Sequence, residues 1–149
     1  MYKHILVAVD GSRTSELALQ EAINLAKALK SQLRLVHAVD EIGSTSFNPE
    51  YTQPAEILQS MVKAGRDVLD QAAAVTAEAG VETDTKLIEI NTLGRRIPEV
   101  IAEEAEAWPA DIVVIGTHGR RGLSRMFLGS VAEGIGRVST KPVLLVRGA

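Results

Sequence analysis

The chain has 149 residues, 46% of them hydrophobic, which fits one domain with a substantial core. It has no cysteine, which excludes disulfides, thiol catalysis and cysteine metal sites. A net charge of −3 argues against a general nucleic-acid binder, and with only 3% aromatic residues the core must be built from Val, Ile, Leu and Ala.

The first apolar run, ILVAV at 5–9, is unbroken and β-branched, as expected for a strand covered on both faces. It is far shorter than the roughly 20 apolar residues of a membrane helix, and no cleavable signal pattern follows. A soluble, cytoplasmic protein without membrane insertion is therefore expected. The turn DGSRTS follows, and then Leu17, Ala18, Ala22, Leu25, Ala26 and Leu29 recur at three- and four-residue steps, which marks an amphipathic helix. QLRLVHAV at 32–39 is the second strand. Residues 40–53 turn polar, with Gly43 and Pro49, and form a loop long enough to fold over a ligand.

The Ala-rich run from Pro54 to about Ala79 is a long helix opened by proline and closed by Gly80. ETDTKLIEI at 82–90 alternates like a strand with one wetter face. A shorter helix at 97–107 ends near Trp108-Pro109. DIVVIG at 111–116 is a second buried strand, 130–138 a helix, and PVLLV at 142–146 the last strand. Strands interleaved with helices specify an α/β fold, one domain over 1–149, whose parallel sheet carries helices on both faces. In such sheets ligands bind beyond the carboxyl ends of the strands, where the winding reverses. ILVAV and DIVVI, the most hydrophobic strands, should be central neighbours. Their following loops, Asp10-Gly11-Ser12 and Gly116-Thr117-His118-Gly119, should then face one crevice.

Residues 116–130, GTHGRRGLSRMFLGS, hold four glycines and three arginines and no acid. Gly116, Gly119 and Gly122 would let the backbone adopt positive φ and approach a ligand. Gly129 and Ser130 stand where the next helix begins, and a helix start presents unpaired N–H groups and partial positive charge. His118, Arg120, Arg121 and Arg125 add cationic character. The inference is an anion, in the first place a nucleotide's phosphates. Neither G-x-x-x-x-G-K-[ST] nor a G-x-G-x-x-G after the first strand is present, so this is neither a P-loop nor a dinucleotide fingerprint. What stands instead is G-x-x-G, nine residues, then G-S: Gly116, Gly119, Gly129, Ser130.

With that motif, and with KHILVAVDGS near its start and KPVLLVRG near its end, the chain resembles the universal stress protein family over essentially its whole length, in its ATP-binding branch. The resemblance implies a five-stranded sheet of order 3-2-1-4-5, a homodimer through the last strand, and ATP or AMP in the crevice. It places Gly116, Gly119, Gly129 and Ser130 on the phosphate and ribose loop, with Val131 contributing backbone; Thr117, His118 and Arg120 of the same stretch are candidate nucleotide contacts, His118 either touching phosphate or merely standing in the loop. Asp10 matches the acid beside ribose and phosphates, where Mg2+ can be held through the nucleotide; Ala8 lies one strand repeat earlier on the same face. Ala38 matches the position whose backbone reads the adenine edge. Ala132 departs from the pattern, since nucleotide-binding relatives often carry a hydroxyl there, and NTLGRRIPE is longer than the turn usual in the family and brings Arg95 and Arg96.

Plainer roles compete for several of these residues. Asp10 can cap the turn into the first helix, and Ser130 can be an ordinary N-cap. Arg120, Arg121 and Arg125 suit a solvated loop face. His37 and His4 suit structural positions, and Trp108 suits packing at the end of a helix. No lysine accompanies the glycines and no paired acid stands near Asp10, so hydrolysis is secondary to binding. The functional expectation is a nucleotide-dependent regulatory or stress-response factor acting on an unknown protein partner. A slow metal-dependent ATPase or autophosphorylating protein, and a nucleotide-free interaction module, are the alternatives.

Overall fold

Strands and helices alternate as β1 (His4–Ala8), α1 (Arg13–Leu29), β2 (Gln32–Asp40), α2 (Ala55–Glu78), β3 (Thr83–Ile90), α3 (Ile97–Ala107), β4 (Ile112–Gly116), α4 (Ser130–Val138) and β5 (Val143–Val146) in a computed structural model. The structure describes residues 1–42, 55–118 and 128–148. Gly119, Arg120, Gly122, Arg121, Arg125 and most of the 40–53 loop lie outside the described residues. Boundaries differ from the sequence expectation by one or two residues, as at β1, which runs from His4 to Ala8 rather than 5–9.

The sheet has five strands in the order β3-β2-β1-β4-β5. All its pairings are parallel, with Ile5 opposite both Leu33 and Ile112, so β1 and β4 are the central neighbours. Strand periodicity then sorts β1 between two cores. Ile5, Val7 and Val9 pack with Ala18, Leu19, Ala22 and Ile23 of α1 and with Leu69 and Ala72 of α2. Leu6 and Ala8 face the other way, toward Ile101 and Ala105 of α3 and Ala132 and Ile135 of α4. Ile5, Leu6 and Val7 are each 0% exposed, which is why the run carries no polar alternation.

Close approach of the helices depends on missing side chains. A Cβ on Gly65 of α2 would stand 2.8 Å from His37 Cδ2 and 2.9 Å from Leu87 Cδ1; one on Gly134 of α4 would stand 2.7 Å from Pro98 Cβ of α3. His37 is indeed structural: its Nδ1 lies 2.8 Å from the Val9 carbonyl oxygen. A carbonyl only accepts, so Nδ1 carries the proton.

At the amino-terminal end of the sheet, Arg34 donates to Asp84 of β3 (2.7 and 3.2 Å) and to Glu104 of α3 (2.7 Å). Its guanidinium carbon lies 5.0 Å from the ring centre of Trp108, and His4 meets the same ring edge-on at 5.0 Å. Trp108 therefore packs the end of α3, and His4 is structural, its ring against Trp108 and its backbone N–H donating to Asp111 Oδ2 at 2.9 Å. The hydrogen bonds that Arg34 donates to Asp84 first, then the one to Glu104, hold its pKa above the ordinary value against the opposing effect of burial.

Candidate functional site

The carboxyl ends of β1 and β4 carry the two loops named from the sequence, and α1 starts between them. Gly11 has φ +82°, the left-handed conformation glycine tolerates, and it turns the chain from β1 into α1. Asp10 Oδ1 accepts from the Ser12 N–H at 2.9 Å, and the Asp10 N–H donates to Ser15 Oγ at 3.0 Å. Ser12 is the N-cap of α1, accepting from the Ser15 N–H at 3.2 Å. Asp10 thus does cap its turn. The capping bonds also fix the direction of its carboxylate, which stands at the end of β1 next to the switch in winding between β1 and β4.

Gly116 ends β4 and is not among the residues with positive φ, contrary to the expectation that it supplies left-handed backbone. Its lack of a side chain serves packing. A Cβ there would stand 2.9 Å from the Thr14 carbonyl carbon and oxygen. Thr117 is 2% exposed; its N–H donates to the Val146 oxygen of β5 at 2.9 Å and its oxygen accepts from the Gly129 N–H at 2.6 Å. Its hydroxyl lies 3.0 Å from His118 Nδ1, and the Thr14 hydroxyl donates to the His118 carbonyl.

The N-cap of α4 is Gly129, with Ser130 the first helical residue, which corrects the expectation of Ser130 as the cap. Gly129 sits at φ −63° and ψ 155° and offers no side-chain acceptor. The first backbone bond of the helix runs from the Glu133 N–H to the Gly129 oxygen at 2.9 Å. Among the described residues nothing accepts from the N–H groups of Ser130, Val131 and Ala132, as a helix start leaves them. Ser130 is exposed, Val131 half-buried. Ala132 is 3% exposed within the second core, so its side chain points into the protein and a hydroxyl at that position would be buried too.

Ala8 lies in that second core and Val131 packs against the same core, so both expected site residues belong to this face of the sheet. Ala8 is paired with Val36, which puts Ala38 two residues further along β2, half-buried on the same face. Arg95 is turned elsewhere: it pairs with Glu103 of α3 beside a cavity of about 420 Å³ between β3 and α3 that is also lined by Ile88, Ile90 and Val100. No three His, Cys, Asp or Glu side chains among the described residues are grouped to hold a metal. Thr14 and Ser15 join the turn as residues that the glycine motif does not mark. Their signal was the hydroxyl cluster at 12, 14 and 15 directly after a strand-ending acid.

The model of the universal stress protein family matches residues 1–147. The chain is similar to a universal stress protein of Bacillus subtilis, with 34% identity over 99% of this chain and 100% of that one. Among solved structures it is similar to a member of that family from Burkholderia pseudomallei, with 32% identity, TM-score 0.77, and 97% and 96% of the two chains covered. It is also similar to a universal stress protein of Archaeoglobus fulgidus in complex with dAMP, with 25% identity, TM-score 0.68, and 97% and 98% covered.

Proposed function

Since this chain belongs to the universal stress protein family, we propose that it is a regulatory protein of the family's ATP-binding branch, holding AMP or ATP in the crevice between the ends of β1 and β4. The observation that carries this reading is the start of α4. A glycine cap without a side chain leaves three N–H groups that no described residue accepts from, at the carboxyl end of the sheet where Thr117 follows β4. Asp10 flanks the ribose and phosphates, Ala38 offers backbone to adenine, and Gly116, Thr117, His118, Gly119, Arg120, Gly129, Ser130 and Val131 follow the phosphates. That a relative from Archaeoglobus fulgidus forms a complex with dAMP supports an adenine nucleotide as the ligand.

In this reading the protein binds rather than turns over its nucleotide, and a partner responds to the difference between occupied and empty states. It works as one domain in the cytoplasm and self-pairs along β5, whose Leu145 is 39% exposed at the sheet edge. Isothermal titration calorimetry with AMP, ATP and GMP tests it: saturable heat with the adenine nucleotides and weaker binding of GMP are expected. Absence of heat with both AMP and ATP would overturn the reading. Gly129→Val serves as the site control. Its φ and ψ suit any residue, so lost affinity reports blocked ligand approach rather than backbone strain. At least a tenfold weakening is expected, about 1.4 kcal/mol.

A further inference from the structure

Three chain segments far apart in sequence meet at one side chain in the first turn of α1. Thr14 is 7% exposed. Its hydroxyl donates to the carbonyl of His118, 104 residues away. Its backbone lies against Gly116, where a Cβ would come within 2.9 Å, and its Cγ2 lies against Gly148, where a Cβ would come within 2.8 Å. A buried hydroxyl could satisfy itself on its own helix; this one reaches across to the chain that leaves β4 for the candidate site.

His118 is joined to α4 through its neighbour. The Thr117 carbonyl accepts from the N–H of Gly129, the residue that caps α4, and the Thr117 N–H is held by Val146. The two peptide units after β4 are thus pinned at three points, on β5, on α1 and on the cap of α4. Of these, the bond from Thr14 is the one made by a side chain, and so the one that a substitution can remove without altering the backbone.

We infer that Thr14 is a positioning residue for nucleotide phosphates: by holding the His118 carbonyl it fixes the chain from which the N-terminus of α4 is hung. It touches no ligand itself. This rests on the nucleotide reading above, and it adds a specific consequence, that the Thr14 hydroxyl matters to the phosphate end of the ligand and not to the adenosine end, which lies over β2.

Calorimetry of Thr14→Val and Thr14→Ser against AMP and adenosine tests it. Valine keeps the shape and both packing contacts and loses only the hydroxyl. The expected result is AMP binding weakened about tenfold in Thr14→Val, the scale of one lost hydrogen bond within the structure that holds a charged ligand. Adenosine binding is expected to change less than about twofold, and Thr14→Ser to hold AMP within about threefold of the unsubstituted protein. Unchanged AMP affinity in Thr14→Val, or equal losses for AMP and adenosine, overturns the proposal, because the residue would then be either irrelevant or merely structural. Should Thr14→Val fail to fold, Thr14→Ala beside Thr14→Ser decides: AMP affinity lost in the alanine variant and kept in the serine variant would sustain the proposal, and equal affinity in the two would overturn it. Failure of the unsubstituted protein to bind AMP at all would instead sink the nucleotide reading on which the proposal stands.

Discussion

Gly116 shows how one residue can answer a different demand from the one its motif suggests. In the motif it is a glycine beside phosphate; in the fold it lies against the backbone of Thr14, with no room for a methyl group. Because the contact is with backbone, which cannot swing aside, Gly116→Ala should destabilise the protein by about 2 kcal/mol through overpacking. Urea denaturation would check this, with a fall in midpoint at unchanged slope. The capping bonds around Asp10 make a complementary case. Asp10→Asn keeps an oxygen for the Ser12 N–H and should leave stability within about 0.5 kcal/mol, while Asp10→Ala removes the acceptor and should cost about 1 kcal/mol. If Asp10 also flanks bound phosphate and metal, Asp10→Asn should lose the Mg2+ dependence of ATP binding while remaining as stable as the unsubstituted protein.

The helices are placed by a few specific contacts rather than by apolar area alone. α3 is fastened to the sheet by Arg34, which joins β2, β3 and α3 through Asp84, Glu104 and the face of Trp108. Glu104 is the least exposed partner, at 13%, so Arg34→Met would leave a largely buried carboxylate without its counter-charge. The expected loss is about 2 kcal/mol, between the values for exposed and buried pairs, and Arg34→Met with Glu104→Gln should recover part of it. Thermal unfolding of the single and double variants measures both. The raised pKa of Arg34 means the pair's contribution is fully present below the ordinary arginine value and is lost only above it; no fall in stability from this residue is expected between neutral and moderately alkaline pH. α4 depends on α3 in turn, since Gly134 accepts Pro98 against its backbone. Gly134→Ala should therefore displace the helix whose start faces the crevice.

For the molecule as a whole, the winding order decides where a ligand can lie and which strands remain open. Because every strand is parallel, all the helices start at the carboxyl end of the sheet, and the reversal between β1 and β4 sets the starts of α1 and α4 on opposite faces beside it. β3 and β5 are left as edges. β3 carries Asp84, Lys86 and Glu89, charges that discourage further pairing, whereas β5 is VLLV. If the chain self-pairs along β5 as proposed, Leu145→Glu should lower its mass in sedimentation equilibrium from that of a dimer to that of a monomer, and an unchanged mass would overturn pairing through β5. Ligand linkage gives a global check of binding: AMP at 100 times its dissociation constant should add about 2.7 kcal/mol of stability, visible as a concentration-dependent rise in melting temperature.

The alternation of short β-branched runs with helical periods determined the α/β class and nearly every element, because period and length are local properties of the chain. Local signals also marked Asp10, Gly129 and the helix start after them, since turn and cap chemistry involves neighbours a few residues apart. The strand order was carried by family resemblance; the fold itself decided what the order does. That Gly116 yields to Thr14, that Thr14 reaches His118, that Ala132 faces the core and that Arg34 unites two strands with a helix are all contacts between segments tens of residues apart. No periodicity records such pairs. They exist only once the sheet has brought its strands into register and the helices have closed upon it.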